Sequence, residues 1–111
     1  MLKSIKTKPK ILFIDDSKTV RKSAVKILSQ DYDVFEACNG REAWDFIQKD
    51  HCFDVIFADI QMPEMDGYEL CEKIKTNESI SHIPVILLTA RAGESDKLSG
   101  LDIGADDYII K

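Results

Sequence analysis

The chain has 111 residues, enough for one domain with a buried core. Its hydrophobic content of 44% and charged content of 32% are ordinary for a globular protein, and a net charge of −5 argues against a nucleic-acid-binding surface. No apolar stretch approaches the length of a membrane span, and Met1–Lys10 lacks the apolar core of a signal peptide, so a cytoplasmic location without membrane contact is expected.

In chain order, Lys3, Lys6, Lys8 and Lys10 form the one basic cluster, and residues 1–9 are expected to be a solvated tail. The domain is expected over 10–111. "ILFID" (11–15) has strand length. Ser17 is a plausible N-cap for a helix over 17–30, where Val20, Ala24, Ile27 and Leu28 share one face. "DVFEA" (33–37) alternates and reads as an edge strand. A helix follows over 40–50, with Ala43 and Ile47 on one face and Trp44 beside them. "DVIFAD" (54–59) is the next strand, and Asp66-Gly67 opens a helix over 67–76 with Leu70 and Ile74 four apart.

"PVILLT" (84–89) is a further strand. Leu98 and Leu101 mark a helix over 94–103 that Gly104 is placed to end. Gly100 inside it costs about 1 kcal/mol relative to alanine, which makes it the weakest of the four helices. "DYIIK" (107–111) is the last strand. Four of the five strands do not alternate cleanly, which suggests burial on both faces, as in a parallel sheet. Alternating strands and helices predict a single α/β domain, a three-layer sandwich with right-handed crossovers.

Cys38, Cys52 and Cys71 are an odd count without paired spacing, which fits reduced thiols in packing roles. His51-Cys52 lacks metal-ligand spacing, and there is no C-x-x-C.

In open α/β sheets the ligand site lies beyond the carboxyl ends of the strands. Those ends carry Asp15-Asp16, Asp59, Thr89 and Lys111. Each has an innocent reading: helix-opening acids, a strand threonine, a solvated terminus. Together, three carboxylates repel and call for a cation, and all-oxygen ligands point to a hard ion, Mg²⁺ before Zn²⁺. A hydroxyl and an ammonium facing that ion suit a phosphoryl group, which a carboxylate can accept covalently.

Four ordered motifs carry a resemblance: "ILFIDDS", "DVIFADIQMPEMDG", "PVILLTA" and "GADDYIIK". Over Ile11 through Lys111 the chain resembles the receiver domain of two-component response regulators, and separations of 44, 30 and 22 residues between Asp15, Asp59, Thr89 and Lys111 agree with it. The resemblance implies a flavodoxin-like doubly wound five-stranded parallel sheet of order 2-1-3-4-5. It implies Asp59 as phosphoacceptor for a phosphoryl group from a histidine kinase or histidine phosphotransfer protein. Asp16 and Asp59, with the backbone carbonyl of Gln61, would hold Mg²⁺, or Mn²⁺ in its place, and Asp15 would act through a metal-bound water. Lys111 and Thr89 would pair with the phosphoryl oxygens. Ala90 would give the phosphoryl group access, Tyr108 would be the switch aromatic coupled to Thr89, and Gln61 and Arg91 would tune phosphate loss. The protein would be a signalling module that catalyses its own phosphorylation and dephosphorylation, not a conventional enzyme. The stretch from Thr76 onward looks most like receivers of bacterial hybrid sensor kinases.

The family normally continues past the lysine with a proline and a fifth helix, so the chain is expected to be a piece of a longer protein, with the final helix missing. Sheet surface left bare would invite homodimerisation. Two other functions compete. A phosphatase of the haloacid-dehalogenase type would place D-x-D at the first strand end, where this chain has Asp15-Asp16-Ser17. A scaffold without phosphorylation would be favoured by loss of an acid, the threonine or the lysine, and none is lost.

Overall fold

The computed structural model describes residues 8–49, 52–62, 64–89 and 104–110. Its elements run β1 (Lys10–Ile14), α1 (Lys18–Leu28), β2 (Asp33–Ala37), α2 (Gly40–Lys49), β3 (Val55–Asp59), α3 (Gly67–Lys75), β4 (Val85–Thr89) and β5 (Asp107–Ile110). The five strands are all parallel, in the order β2-β1-β3-β4-β5. The chain steps one way from β1 to β2 and the other way thereafter. Right-handed crossovers therefore put α1 on one face and α2 and α3 on the other.

Both faces of β1 are apolar for that reason. Leu12 and Ile14 join α2 and α3 side chains, among them Ile47, Leu70 and Ile74, in one buried cluster with Ile56, Ala58, Val85 and Leu87. Ile11 and Phe13 point the other way and are also buried, with Phe13 against Phe57 at 6.1 Å between ring centroids. Cys71 lies in the first cluster, and burial pushes its thiol up to about 11. It packs as a protonated apolar group, in keeping with the role expected of it. None of the three cysteines is joined in a disulfide.

For the elements among the described residues, the sequence-based boundaries hold to within one or two residues. Ser17 caps α1 by accepting a hydrogen bond from Val20 N, and Asp66 caps α3 by accepting from Glu69 N. Three expectations need correcting. Ile27, placed on the inner face of α1, is 72% exposed, because the half-buried side of α1 is Val20, Ala24, Val25 and Leu28. β5 sits at the sheet edge, as the order 2-1-3-4-5 implied, but it is not covered on both faces as its apolar run suggested, since its Ile109 is 43% exposed. Lys10, counted with the basic segment, opens β1, and its ammonium lies over the rings of Phe35 and Phe53. Just before it, the Pro9 carbonyl accepts from Asp33 N. The remainder of the expected tail, residues 1–7, and the helix expected over 94–103 with Gly100 lie outside the described residues. Among the described residues no helix is long and apolar enough to cross a membrane.

One polar clip joins the far end of the sheet. The Lys75 ammonium donates to the carbonyls of Ser81 (3.2 Å) and Ile83 (2.7 Å) and meets Asp106 Oδ2 at 2.6 Å. Three protons thus find three acceptors. Asp106 Oδ2 also accepts from Val85 N, while Asp106 N donates to Val85 O, which sets the start of β5 against β4. Gly104, at φ +95°, passes so close that a Cβ there would sit 3.2 Å from Lys75 Cγ. Burial alone would raise the Asp106 carboxyl, but the Lys75 ammonium and the Val85 N–H outweigh it and hold it below 3.8.

Lys75→Met is expected to destabilise the fold by about 1–3 kcal/mol, since two carbonyls lose their donor. A depressed carboxyl contributes stability that is full above its unfolded value of 3.8 and lost as the pH falls through the folded one. Urea unfolding across that acid range should show a shallower loss in Asp106→Asn than in the parent chain.

Candidate functional site

β1 stops at Ile14 and delivers Asp15 and Asp16 immediately beyond its carboxyl end, while its central neighbour β3 ends on Asp59 itself. This is the point where the strand order reverses, the place where open α/β sheets leave a crevice. One carboxylate oxygen from each of Asp15, Asp16 and Asp59 lies within 4.8 Å of the others. Asp15 and Asp59 are buried, and Asp16 is exposed. A hard cation with bonds of about 2.1–2.5 Å spans roughly 4–5 Å between opposite ligands. The donor set and its spacing therefore fit such an ion, with Asp16 on the open side.

Local bonds hold the acids. Asp15 Oδ1 accepts from Ser17 N at 2.9 Å, and Asp15 N donates to Ala37 O at 3.1 Å. The Asp15 carbonyl accepts from Arg21 Nη1 at 2.8 Å. Arg21 Nε in turn reaches Glu36 Oε1 at 3.2 Å, and Lys22 Nζ reaches Glu36 Oε2 at 3.0 Å. Burial works to raise the Glu36 carboxyl, but Lys22 and Arg21 together bring it below 4.5. Neither Arg21 nor Glu36 stands out in the sequence. They are fifteen residues apart, and no periodicity marks a pair that only the packing of α1 against β2 brings together.

After Asp59 the chain turns back sharply. Gln61, exposed, donates its N–H to Asp59 Oδ1 at 3.3 Å, and Gly67 N donates to Ile60 O at 3.0 Å. A Cβ at Gly67 would meet the Asp59 carbonyl at 2.5 Å and Ile60 Cα at 2.9 Å. The Asp-Gly pair thus has two separate tasks: Asp66 caps α3, and Gly67 lets that helix start against the backbone of Asp59. Within the same turn Glu64 takes a φ of 69°, a left-handed conformation uncommon for residues other than glycine.

Thr89 ends β4 and is buried. The register pairs Asp59 with Leu88, so Thr89 lies one position beyond Asp59 on the neighbouring strand. It pairs in turn with Ile110 of β5. The expected residues Ala90, Arg91 and Lys111 lie outside the described residues, as does the Tyr108 side chain, although the Tyr108 backbone belongs to β5.

A family model described as "Response regulator receiver domain" matches residues 11–111. The chain is 44% identical over 106 residues to "Histidine kinase P4" of Formosa agariphila, covering 96% of this chain and 8% of that protein. It likewise spans only about two fifths of the ycf27 transcriptional regulators it matches. Among solved structures, the signal receiver domain of a signal transduction histidine kinase from Syntrophus aciditrophicus superposes with a TM-score of 0.85 at 40% identity, covering 93% of this chain and 78% of that one. The Mn²⁺-bound form of response regulator Rcp1 superposes with a TM-score of 0.83 at 26% identity, covering 93% and 81%.

Gly67→Ala should destabilise the fold by about 1–3 kcal/mol through overpacking against the Asp59 backbone. Chemical denaturation measures this directly, and a variant as stable as the parent would refute the close contact.

Proposed function

The chain belongs to the response regulator receiver domain family, and on that premise we propose that it is a phosphoacceptor module in which Asp59 takes a phosphoryl group from a partner histidine kinase or histidine phosphotransfer protein. The reading covers residues 10–111 as one receiver domain in the cytoplasm of a bacterial cell. The observation that carries it is the convergence of Asp15, Asp16 and Asp59, with oxygens within 4.8 Å of one another, next to a buried Thr89.

An Asp59 carboxylate oxygen attacks phosphorus, an O–P bond forms as the P–N bond of phosphohistidine breaks, and the electron pair returns to the imidazole. Asp16, Asp59 and the Gln61 carbonyl would hold Mg²⁺, with Asp15 behind a water. Mn²⁺ would fit the same oxygen donors, and the Mn²⁺-bound form of Rcp1 supports a divalent ion of this class. When bound, the cation neutralises charge on the carboxylates and the phosphoryl oxygens. Lys111 supplies a second positive charge, and Thr89 donates a hydrogen bond once the phosphoryl group is in place. Ala90 leaves room for that group, and Gln61 and Arg91 shape how water reaches it. Phosphorylation brings roughly −1.5 to −2 charge to the rim. Thr89 is drawn toward it and Tyr108 follows, which converts a charge change into a shape change. Self-phosphorylation and self-dephosphorylation are the only chemistry this reading gives the domain.

Incubation with acetyl phosphate and Mg²⁺ should add one phosphoryl group by intact mass. The label should vanish in Asp59→Asn and in the presence of a chelator. Lys111→Ala is expected to slow labelling by about 100-fold, the usual loss for one partner of developing charge. Steady turnover of phosphate esters would instead indicate a phosphatase, and an unlabelled protein a binding scaffold.

A further inference from the structure

Asp15 is gripped through its backbone from two elements. Its N–H donates to Ala37 O at the end of β2, and its carbonyl accepts from Arg21 Nη1 of α1 at 2.8 Å. The Asp15 carbonyl and the Asp16 N–H belong to one planar peptide unit. Whatever fixes that carbonyl also fixes the direction in which the chain enters Asp16. Asp16, exposed and without β1 pairing of its own, depends on this plane for its aim toward Asp15 and Asp59.

Arg21 is well placed to set the plane. Its side chain is only 15% exposed, and its Nε is anchored at 3.2 Å by Glu36, the β2 residue just before Ala37. A guanidinium presents its donors in a rigid fork, so bonding on two edges leaves it little freedom. Lys22 holds the other oxygen of Glu36 at 3.0 Å and so steadies the anchor.

We propose that Arg21 is a positioning residue for the divalent cation: through the Asp15 carbonyl it locks the Asp15–Asp16 peptide, so that Asp16 offers its carboxylate to the ion. The inference rests on the cation reading of the site given above. Charge and geometry predict opposite signs here, which makes it testable. As a nearby positive charge alone, Arg21 opposes cation binding, and its removal tightens it. As a positioning residue its removal weakens binding, and groups that orient metal ligands typically contribute 10–100-fold in affinity.

The test is Mg²⁺ affinity by calorimetry, with Mn²⁺ affinity by electron paramagnetic resonance, on the full chain and on Arg21→Gln and Arg21→Lys. Melting curves in chelator establish that each variant is folded. Arg21→Gln is expected to bind both ions about 10-fold more weakly. Arg21→Lys keeps the charge but has one ammonium for two acceptors, so it also weakens binding, by a smaller factor. Equal or tighter binding in folded Arg21→Gln overturns the proposal. Should that variant not fold, Arg21→Lys decides, with unchanged affinity overturning the proposal and weaker binding supporting it. A parent chain that binds neither ion removes the cation reading and this inference together. A parent that binds, beside variants that bind equally, removes this inference alone.

Discussion

Three carboxylates cannot share a few ångströms without cost, and the rest of the molecule is organised around bearing it. At a separation of 4.8 Å and an effective dielectric constant of about 20, each ionised pair repels by roughly 3 kcal/mol. A whole domain is stable by only about 5–15 kcal/mol, so this repulsion is a large fraction of the margin. The chain cannot relieve it by spreading the acids, because β1 and β3 are neighbouring central strands registered from Ile11–Val55 to Ile14–Ala58, with β1 buried on both faces. Separating their ends would break that ladder. A cation relieves the repulsion without moving the backbone, which is why the donor set makes sense as a metal site.

The surroundings offset part of the remainder. α1 begins at Lys18 directly after the acidic pair, so the positive end of its backbone dipole faces them, and Ser17 N donates to Asp15 Oδ1. Arg21 adds a full positive charge, and Glu36 and Lys22 fix where it sits. On the β3 side the turn back to α3 is tight enough to demand Gly67 and to hold Glu64 in a left-handed conformation. Strain of that kind persists only where the surrounding structure over-determines the backbone. Here α3 is capped by Asp66 and rooted in the core by Leu70, Cys71 and Ile74.

Much of this was legible in the sequence, because strand length, apolar runs and the rule that sites gather at carboxyl ends are local or topological. "DVIFAD" gave β3 and its terminal Asp59, and "DVFEA" gave the β2 edge. The Asp-Gly pair gave the start of α3, although its close approach to Asp59 was invisible. What failed depended on contacts between elements. An apolar period on α1 does not say which residues of the stripe find a partner, so Ile27 was misplaced. A continuous run at "DYIIK" does not reveal which of its residues a neighbouring element covers, and Ile109 is left exposed. Arg21–Glu36 and Lys75–Asp106 are cross-element pairs, and a single sequence carries no pattern that joins them.

The same pairs suggest how a charge change at Asp59 stays a local event with a directed outcome. β4 and β5 are pinned at their amino ends, where Asp106 exchanges hydrogen bonds with Val85 and Lys75 ties both to the end of α3. Their carboxyl ends, Thr89 and Ile110, lie on the same rim as the acids, with Thr89 on the strand next to Asp59. On the phosphoacceptor reading, a new negative charge pulls on Thr89 while the far end of its strand stays clamped. β1, buried on both faces and flanked by β2 and β3, has no comparable freedom. On the same reading the response is expected at the rim around Thr89, away from the rigid centre of the sheet. On that reading, tight bonding around Asp15 holds the carboxylates in place, and the clamp at the amino ends of β4 and β5 gives the pull on Thr89 a fixed point to act against.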